Sequence, residues 1–291
     1  MAPLSPQPVW TGRAVLGEGP TWSPRLNRVL FVDIRGKRLI AWSPDDGSSS
    51  EWSMPEACVW LIERKDGDGF LAALKTRIVH MRLDLQTGPV IVADVARPEA
   101  HIPGNRFNDA KADPYGRVWA GSMEDAESGA ATGNFYRIDP NGAVTQVDSG
   151  YGVANGPAVS ADGKTLYHTD SMAQTIYAFD LGADGTLKNK RVHIKFTAAD
   201  GYPDGMTTDA EGGLWVCHWD GARVTRFLAD GRVDRAIALP CSRVTSCVFY
   251  GAALDRLAIT TAAHERPNES QAGSLFTVAP GVRGLPPAMF G

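Results

Sequence analysis

The sequence predicts an all-β protein folded as a six-bladed β-propeller, and three observations carry that expectation. Apolar residues alternate with a period of two along most of the chain, and no long stretch has helical spacing. Thirty-one Gly and nineteen Pro are scattered through the 291 residues, which marks many turns between short elements. A turn followed by a short apolar strand recurs at intervals of about 40–50 residues, the period of a propeller blade of roughly four strands.

The recurring strands, in chain order, are residues 28–33, 70–74, 117–121, 164–170, 214–218 and 256–261, each preceded by a Gly-, Pro- or Asp-containing turn. The third of these turns, Asp113-Pro114-Tyr115-Gly116, shows the pattern most plainly. A second alternating strand follows most copies, at 38–42, 78–82, 134–139, 175–180, 223–227 and 274–278, and a third follows several, as at 143–147 and 233–238. Pro140-Asn141-Gly142, Ala183-Asp184-Gly185 and Ala229-Asp230-Gly231 suit tight hairpins. Asp66-Gly67-Asp68-Gly69 is read as another hairpin turn, because the helices and final Glu of a calcium-binding EF-hand are missing. Trp22, Trp119 and Trp215 fall in the inner-strand pattern and are expected to pack between blades. Val9-Trp10 is expected to add a strand to the last blade and close the ring, so that deleting residues 1–12 would cost much stability. No linker divides the chain, and residues 1–291 read as one domain. A pair of β-sandwiches, the rival architecture, would lack the internal period.

Composition narrows the function. A 43% hydrophobic and 21% charged chain is that of a soluble globular protein. A formal charge of −4 with no basic stripe argues against a nucleic-acid partner. No apolar run approaches the roughly 20 residues that span a bilayer, and residues 1–10 have neither the basic nor the apolar part of a secretory signal. A cytoplasmic protein, monomeric or weakly oligomeric, is the expectation. Cys58, Cys217, Cys241 and Cys247 form no C-x-x-C pair, the six histidines form no H-x-x-x-H pair, and no nucleophile elbow, P-loop or G-x-G-x-x-G occurs.

What remains is a set of polar residues placed one repeat apart. In a propeller the segments entering the innermost strands gather at one end of the channel, so Glu18, Asn108, Asn155 and Asp204 are expected to converge there. The second repeat offers only the apolar Val59-Trp60-Leu61 at that point. Singly, each is ordinary turn chemistry. Together, carboxylate and carboxamide oxygens are hard ligands for a divalent cation, and two converging carboxylates without one would repel until one protonated. A metal site at one mouth of the channel is therefore expected.

These residues also carry a resemblance. Gly17-Glu-Gly-Pro20, Asn105-Arg-Phe-Asn-Asp109, Asp113-Pro-x-Gly-Arg117, Ala120-Gly-Ser-Met123, Tyr202-Pro-Asp-Gly-Met206, Asp209-Ala-Glu-Gly212 and Thr245-Ser-Cys247 resemble the gluconolactonase/regucalcin (senescence marker protein) family, over essentially the whole chain. The resemblance implies a six-bladed propeller that binds one divalent metal ion (Ca, Zn, Mn, Mg or Fe) and opens a small-molecule sugar lactone, such as glucono-, xylono-, arabino- or galactonolactone, to the aldonic acid. It implies metal ligation by Glu18, Asn155 and Asp204, substrate contacts from Arg106 and Asn108, and proton transfer by Asp204, with a cation-activated water as the competing base. An acidic substrate contact that the family often has falls on Ala126 by counting, flanked by Glu124, Asp125 and Glu127. The alternatives are a metal-dependent hydrolase of another ester (an aryl ester, aromatic lactone or phosphotriester) and a propeller that binds partners without catalysis.

Overall fold

The structure, a computed structural model, describes residues 5–291. It consists of six four-stranded antiparallel sheets arranged as the blades of a propeller. The strands are numbered β1–β24 in chain order. Blade 1 is β2 (Gly17–Ser23), β3 (Arg28–Asp33), β4 (Arg38–Trp42) and β5 (Ser49–Ser53); blade 2 is β6 (Cys58–Glu63), β7 (Phe70–Leu74), β8 (Arg77–Asp84) and β9 (Gly88–Ala96). Blade 3 is β10 (Asn105–Ala112), β11 (Val118–Glu124), β12 (Gly133–Ile138) and β13 (Val144–Tyr151). Blade 4 is β14 (Ala154–Val159), β15 (Thr165–Asp170), β16 (Thr175–Leu181) and β17 (Leu187–Lys195); blade 5 is β18 (Tyr202–Thr208), β19 (Leu214–Trp219), β20 (Arg223–Phe227) and β21 (Val233–Ala238). Blade 6 closes the ring as expected: β22 (Val244–Tyr250), β23 (Arg256–Thr261) and β24 (Leu275–Val278) are completed by β1 (Gln7–Trp10). Residues 1–4 of the expected closing segment lie outside the described residues.

The turn-led strands found in the sequence are the second strand of each blade, not the innermost. The innermost strands are the polar runs themselves, including Asn105–Ala112, which showed no strand periodicity. Two physical reasons account for this. These strands are buried on both sides, so polar and apolar residues need not alternate. Each of the six also carries a β-bulge or register shift against its neighbour, which breaks the period of two. Trp119 and Trp215 accordingly belong to second strands, although both are buried as expected.

Two of the repeated turns share one device. The Asp113 carboxylate accepts hydrogen bonds from the backbone N–H of Tyr115 and Arg117, from the Arg117 guanidinium at 2.7 Å and from the Trp119 indole at 2.9 Å. Asp209 does the same for Glu211, Gly213, Arg226 and Trp215. An Asp six residues ahead of a Trp thus fixes the turn, pairs a buried Arg and orients an indole in the core. Between blades, aromatic rings interlock: Trp60 meets Phe107 edge-on at 6.2 Å, Phe135 stacks on His168 at 3.7 Å, and Trp10 meets Phe31 edge-on at 5.0 Å. Hydroxyls cross the same seams, as Thr21 donates to the Leu61 carbonyl, Thr208 to Val159 and Thr245 to Gly17. Beyond β24 the chain runs over the end of the channel opposite the polar cluster. There it hydrogen-bonds backbone to backbone with Ala210, Leu254, Glu63, Lys65 and Gly116.

Candidate active site

The first residues of the innermost strands meet at one mouth of the channel, and there Glu18, Arg106, Asn108, Asn155 and Asp204 line a single cavity of about 260 Å³. Leu16, Met123, Val153, Ser171, Met172, Tyr202, Trp219 and Glu127 complete its wall. All five expected residues are therefore brought together. The bulges explain how. Each sits within or just after the residue concerned, and a bulge turns a side chain out of the regular pleat toward the axis. Gly19 (φ 55°) and Gly156 (φ 49°) take the left-handed conformation beside Glu18 and Asn155. A Cβ on Gly156 would also stand 2.5 Å from the Met206 side chain. A larger cavity, about 340 Å³, lies at the other end under Leu285, Pro286 and Pro287, and its walls hold one ionisable group, Lys111. The rest of its lining is mostly apolar, with Thr21, Ser160, Thr207 and Thr208 as the hydroxyl-bearing residues.

A hydrogen-bonded chain orders the polar side chains of the site. The Arg106 guanidinium donates to the Phe107 carbonyl at 3.0 Å and to Asn108 Oδ1 at 2.7 Å. Asn108 Nδ2 donates to the Ala154 carbonyl and to Asn155 Oδ1 at 2.9 Å. Asn155 Nδ2 donates to Ser171 Oγ, which in turn donates to the Pro203 carbonyl at 2.6 Å. The chain fixes the amide of Asn155 so that its oxygen, which has a second lone pair, faces the cavity. Ser171 was not legible in the sequence, since it lies after β15 and outside the innermost strands.

The carboxylates are under-compensated. Glu18 accepts the Gly19 N–H at 2.9 Å, yet burial, and then the charge of Asp109, push its pKa up to about 8. Asp204 is 4% exposed, its Oδ1 has no hydrogen-bond partner, and burial followed by the Glu18 charge raises it well above the ordinary carboxylate range. Asp109 was visible within the polar run but was not counted as a site residue. It is buried too, with Oδ2 unpartnered. Three buried carboxylates without an ion pair are costly. An oxygen set of two carboxylates and an amide, one carboxylate oxygen being unsatisfied, is the donor set of a divalent oxygen-seeking cation. Glu18, Asn155 and Asp204 therefore fit a metal ion.

The three acids around Ala126 separate clearly. Glu124 turns away and accepts the Ser128 backbone N–H and hydroxyl, which hold its pKa down. Asp125 lies 3.4 Å from Arg106 Nε and 2.7 Å from Lys75. Glu127 lies 3.8 Å from Arg106 Nη2 and 2.5 Å from Arg35. Of the three only Glu127 lines the cavity, and it does so from a left-handed backbone conformation (φ 54°) that a non-Gly residue adopts at a cost.

Fold and site together define a six-bladed propeller that carries a small polar pocket with a carboxylate–amide donor set at one channel mouth. Residues 16–263 match the SMP-30/Gluconolactonase/LRE-like region family, to which the chain belongs, and it is an enzyme of the sugar lactonase class. It is 32% identical to regucalcin of Gallus gallus over 97% of each chain, and 33% identical to pentonolactonase XacC of Haloferax volcanii over 93% of each. Among solved structures, it superposes on a calcium-binding protein, regucalcin, from Agrobacterium tumefaciens with a TM-score of 0.91 at 26% identity, covering 99% of this chain and 98% of that one. Among the described residues, no helix is long and apolar enough to cross a membrane.

Proposed function

We propose that the protein hydrolyses a sugar lactone to its aldonic acid with one divalent cation held by Glu18, Asn155 and Asp204. The observation that carries this reading is the buried, unpartnered Asp204 Oδ1 beside Glu18 and the ordered Asn155 oxygen, in the cavity that Arg106 and Asn108 also line. A cavity of about 260 Å³ lies just under the roughly 300–1,000 Å³ typical of drug-sized ligand sites, as suits a single sugar ring. Its polar side chains match a polyhydroxylated ring, while Met172, Tyr202 and Trp219 supply apolar faces.

Hydrolysis adds water to the lactone carbonyl carbon, and negative charge develops on the carbonyl oxygen. The bound cation would supply positive charge at that oxygen. Arg106 is fixed by Asn108 and the Phe107 carbonyl, so it stabilises the same charge without reorganising. Asp204 takes a proton from the attacking water and returns it to the ring oxygen as the carbon–oxygen bond breaks, which leaves the open hydroxy acid. Glu127 and Asp125 hold the outer edge of the Arg106 guanidinium, and Glu127, which lines the cavity, offers acceptors to ring hydroxyls. The test is a panel of glucono-, xylono-, arabino- and galactonolactone against aryl esters and a phosphotriester, with and without chelator. Chelator-sensitive turnover of sugar lactones is expected. Turnover confined to aryl esters or phosphotriesters, or no turnover with any added divalent metal, would overturn the proposal.

A further inference from the structure

A third carboxylate belongs to this site for reasons unconnected with direct ligation. The two residues of the β10 bulge, Asn108 and Asp109, are both buried at the channel. Asn108 is used by the chain from Arg106 to Asn155. Asp109 is 2% exposed and accepts a hydrogen bond from the Ala110 N–H at 2.7 Å through Oδ1. Its Oδ2 is buried and has no partner. Lys111, two residues on, acts on it only from a distance. An ionised carboxylate in that position is unfavourable unless a cation compensates it. Among the described residues no three Asp, Glu, His or Cys side chains converge closely enough to hold one metal ion, so Asp109 does not join Glu18 and Asp204 as a direct ligand. Its charge is nonetheless the largest one acting on Glu18 and the second largest acting on Asp204.

We infer that Asp109 is an outer-sphere positioning residue for the cation. It adds a fixed negative charge that acts on Glu18 and Asp204, with one buried oxygen left unpartnered, and works through solvent and charge rather than by ligation. This inference rests on the reading of Glu18, Asn155 and Asp204 as cation ligands. A purely structural Asp109 would only hold the β10 bulge through the Ala110 N–H.

The two roles separate in the full chain by calorimetric titration of Ca²⁺ into chelator-stripped protein. Asp109→Asn keeps an acceptor for Ala110 and removes the charge. Its expected affinity for Ca²⁺ is about 10–100-fold weaker, the usual cost of losing an outer-shell partner. Its melting temperature in chelator at pH 8 is expected to rise above that of the parent protein, because a like charge has gone. Asp109→Ser serves as the second variant should the amide disturb packing. Glu18→Gln is the control, expected to lose Ca²⁺ binding. Parent-like affinity in the Asp109 variants alongside a non-binding Glu18→Gln overturns this inference and leaves the lactonase reading standing. Parent-like affinity in all three overturns both.

Discussion

Stripping the cation should cost the protein more stability the further pH rises through the neutral range. The perturbation is a chelator, and the group that reports it is Glu18. Its pKa lies near 4.5 in the unfolded chain and is raised to about 8 in the fold, mainly by burial. An acid whose folded pKa is raised binds its proton more tightly when folded, so its contribution is complete below pH 4.5 and is lost as pH climbs to about 8. Histidines pull the other way at lower pH: His80, His168, His193, His218 and His264 are all pushed below 6.5 by burial. That histidine contribution is the same with chelator and with Ca²⁺, so the difference in stability between the two conditions isolates the carboxylates. From pH 6.5 to 8, at about 1.4 kcal/mol per pH unit, Glu18 alone removes roughly 2 kcal/mol. Asp204, raised for the same reason, adds to that loss. For a chain of this length that is a change of about 3 °C in melting temperature. Thermal unfolding followed by circular dichroism, with chelator and with saturating Ca²⁺, at half-unit steps of pH, measures it. The slope with chelator should be more negative than the slope with Ca²⁺, and more negative than that of chelated Glu18→Gln. Equal slopes with chelator and with Ca²⁺ from pH 6.5 to 8 would refute the picture of uncompensated carboxylates.

Three further outcomes follow from the geometry. Asp204→Ala should lower lactone turnover by at least about 10²–10⁴, the range for a positioned acid–base group, and weaken Ca²⁺ binding by calorimetry; near-parent turnover would remove Asp204 from the chemistry. Arg106→Lys loses the planar fork that reaches Asn108 and the Phe107 carbonyl together, so steady-state kinetics should show KM rising more for polyhydroxylated lactones than for simple ones. Trp10 is buried, packs edge-on against Phe31 and donates from its indole to Glu51 of blade 1 at 2.8 Å. Trp10→Ala should cost about 3–5 kcal/mol in urea unfolding, and a loss below about 1 kcal/mol would mean the closing strand contributes little.

Much of the fold was legible because the blade repeats: the turn-led strands and the closing role of Val9-Trp10 all appear in the pattern. What misled was burial on both faces. In β10 the sequence Asn105-Arg-Phe-Asn-Asp109 reads as a loop only because neither face of an innermost strand meets solvent and a bulge interrupts the alternation. The convergence of Glu18, Asn108, Asn155 and Asp204 was legible for the same reason as the fold, since residues one repeat apart meet at the axis. Ser171 and the choice of Glu127 over its two acidic neighbours depended on loop conformation, which leaves no periodic trace. Asp109 stood in plain view beside Asn108. Only the bulge, which buries two consecutive side chains, distinguishes it from a turn residue.

The composite blade has a consequence for the pocket it adjoins. Glu18 belongs to blade 1 and Asp204 to blade 5, and the blade between them is the one assembled from β1 and β22–β24. A ligand that grips both carboxylates therefore spans the clasp of the ring. Loosening the clasp widens the gap between those two grips, and a bound ion resists that widening. Hydrogen exchange along β1 and β24 should slow when Ca²⁺ is added, even though neither strand touches the ion. The fastening of the ring and the occupancy of its mouth are then two readings of one equilibrium.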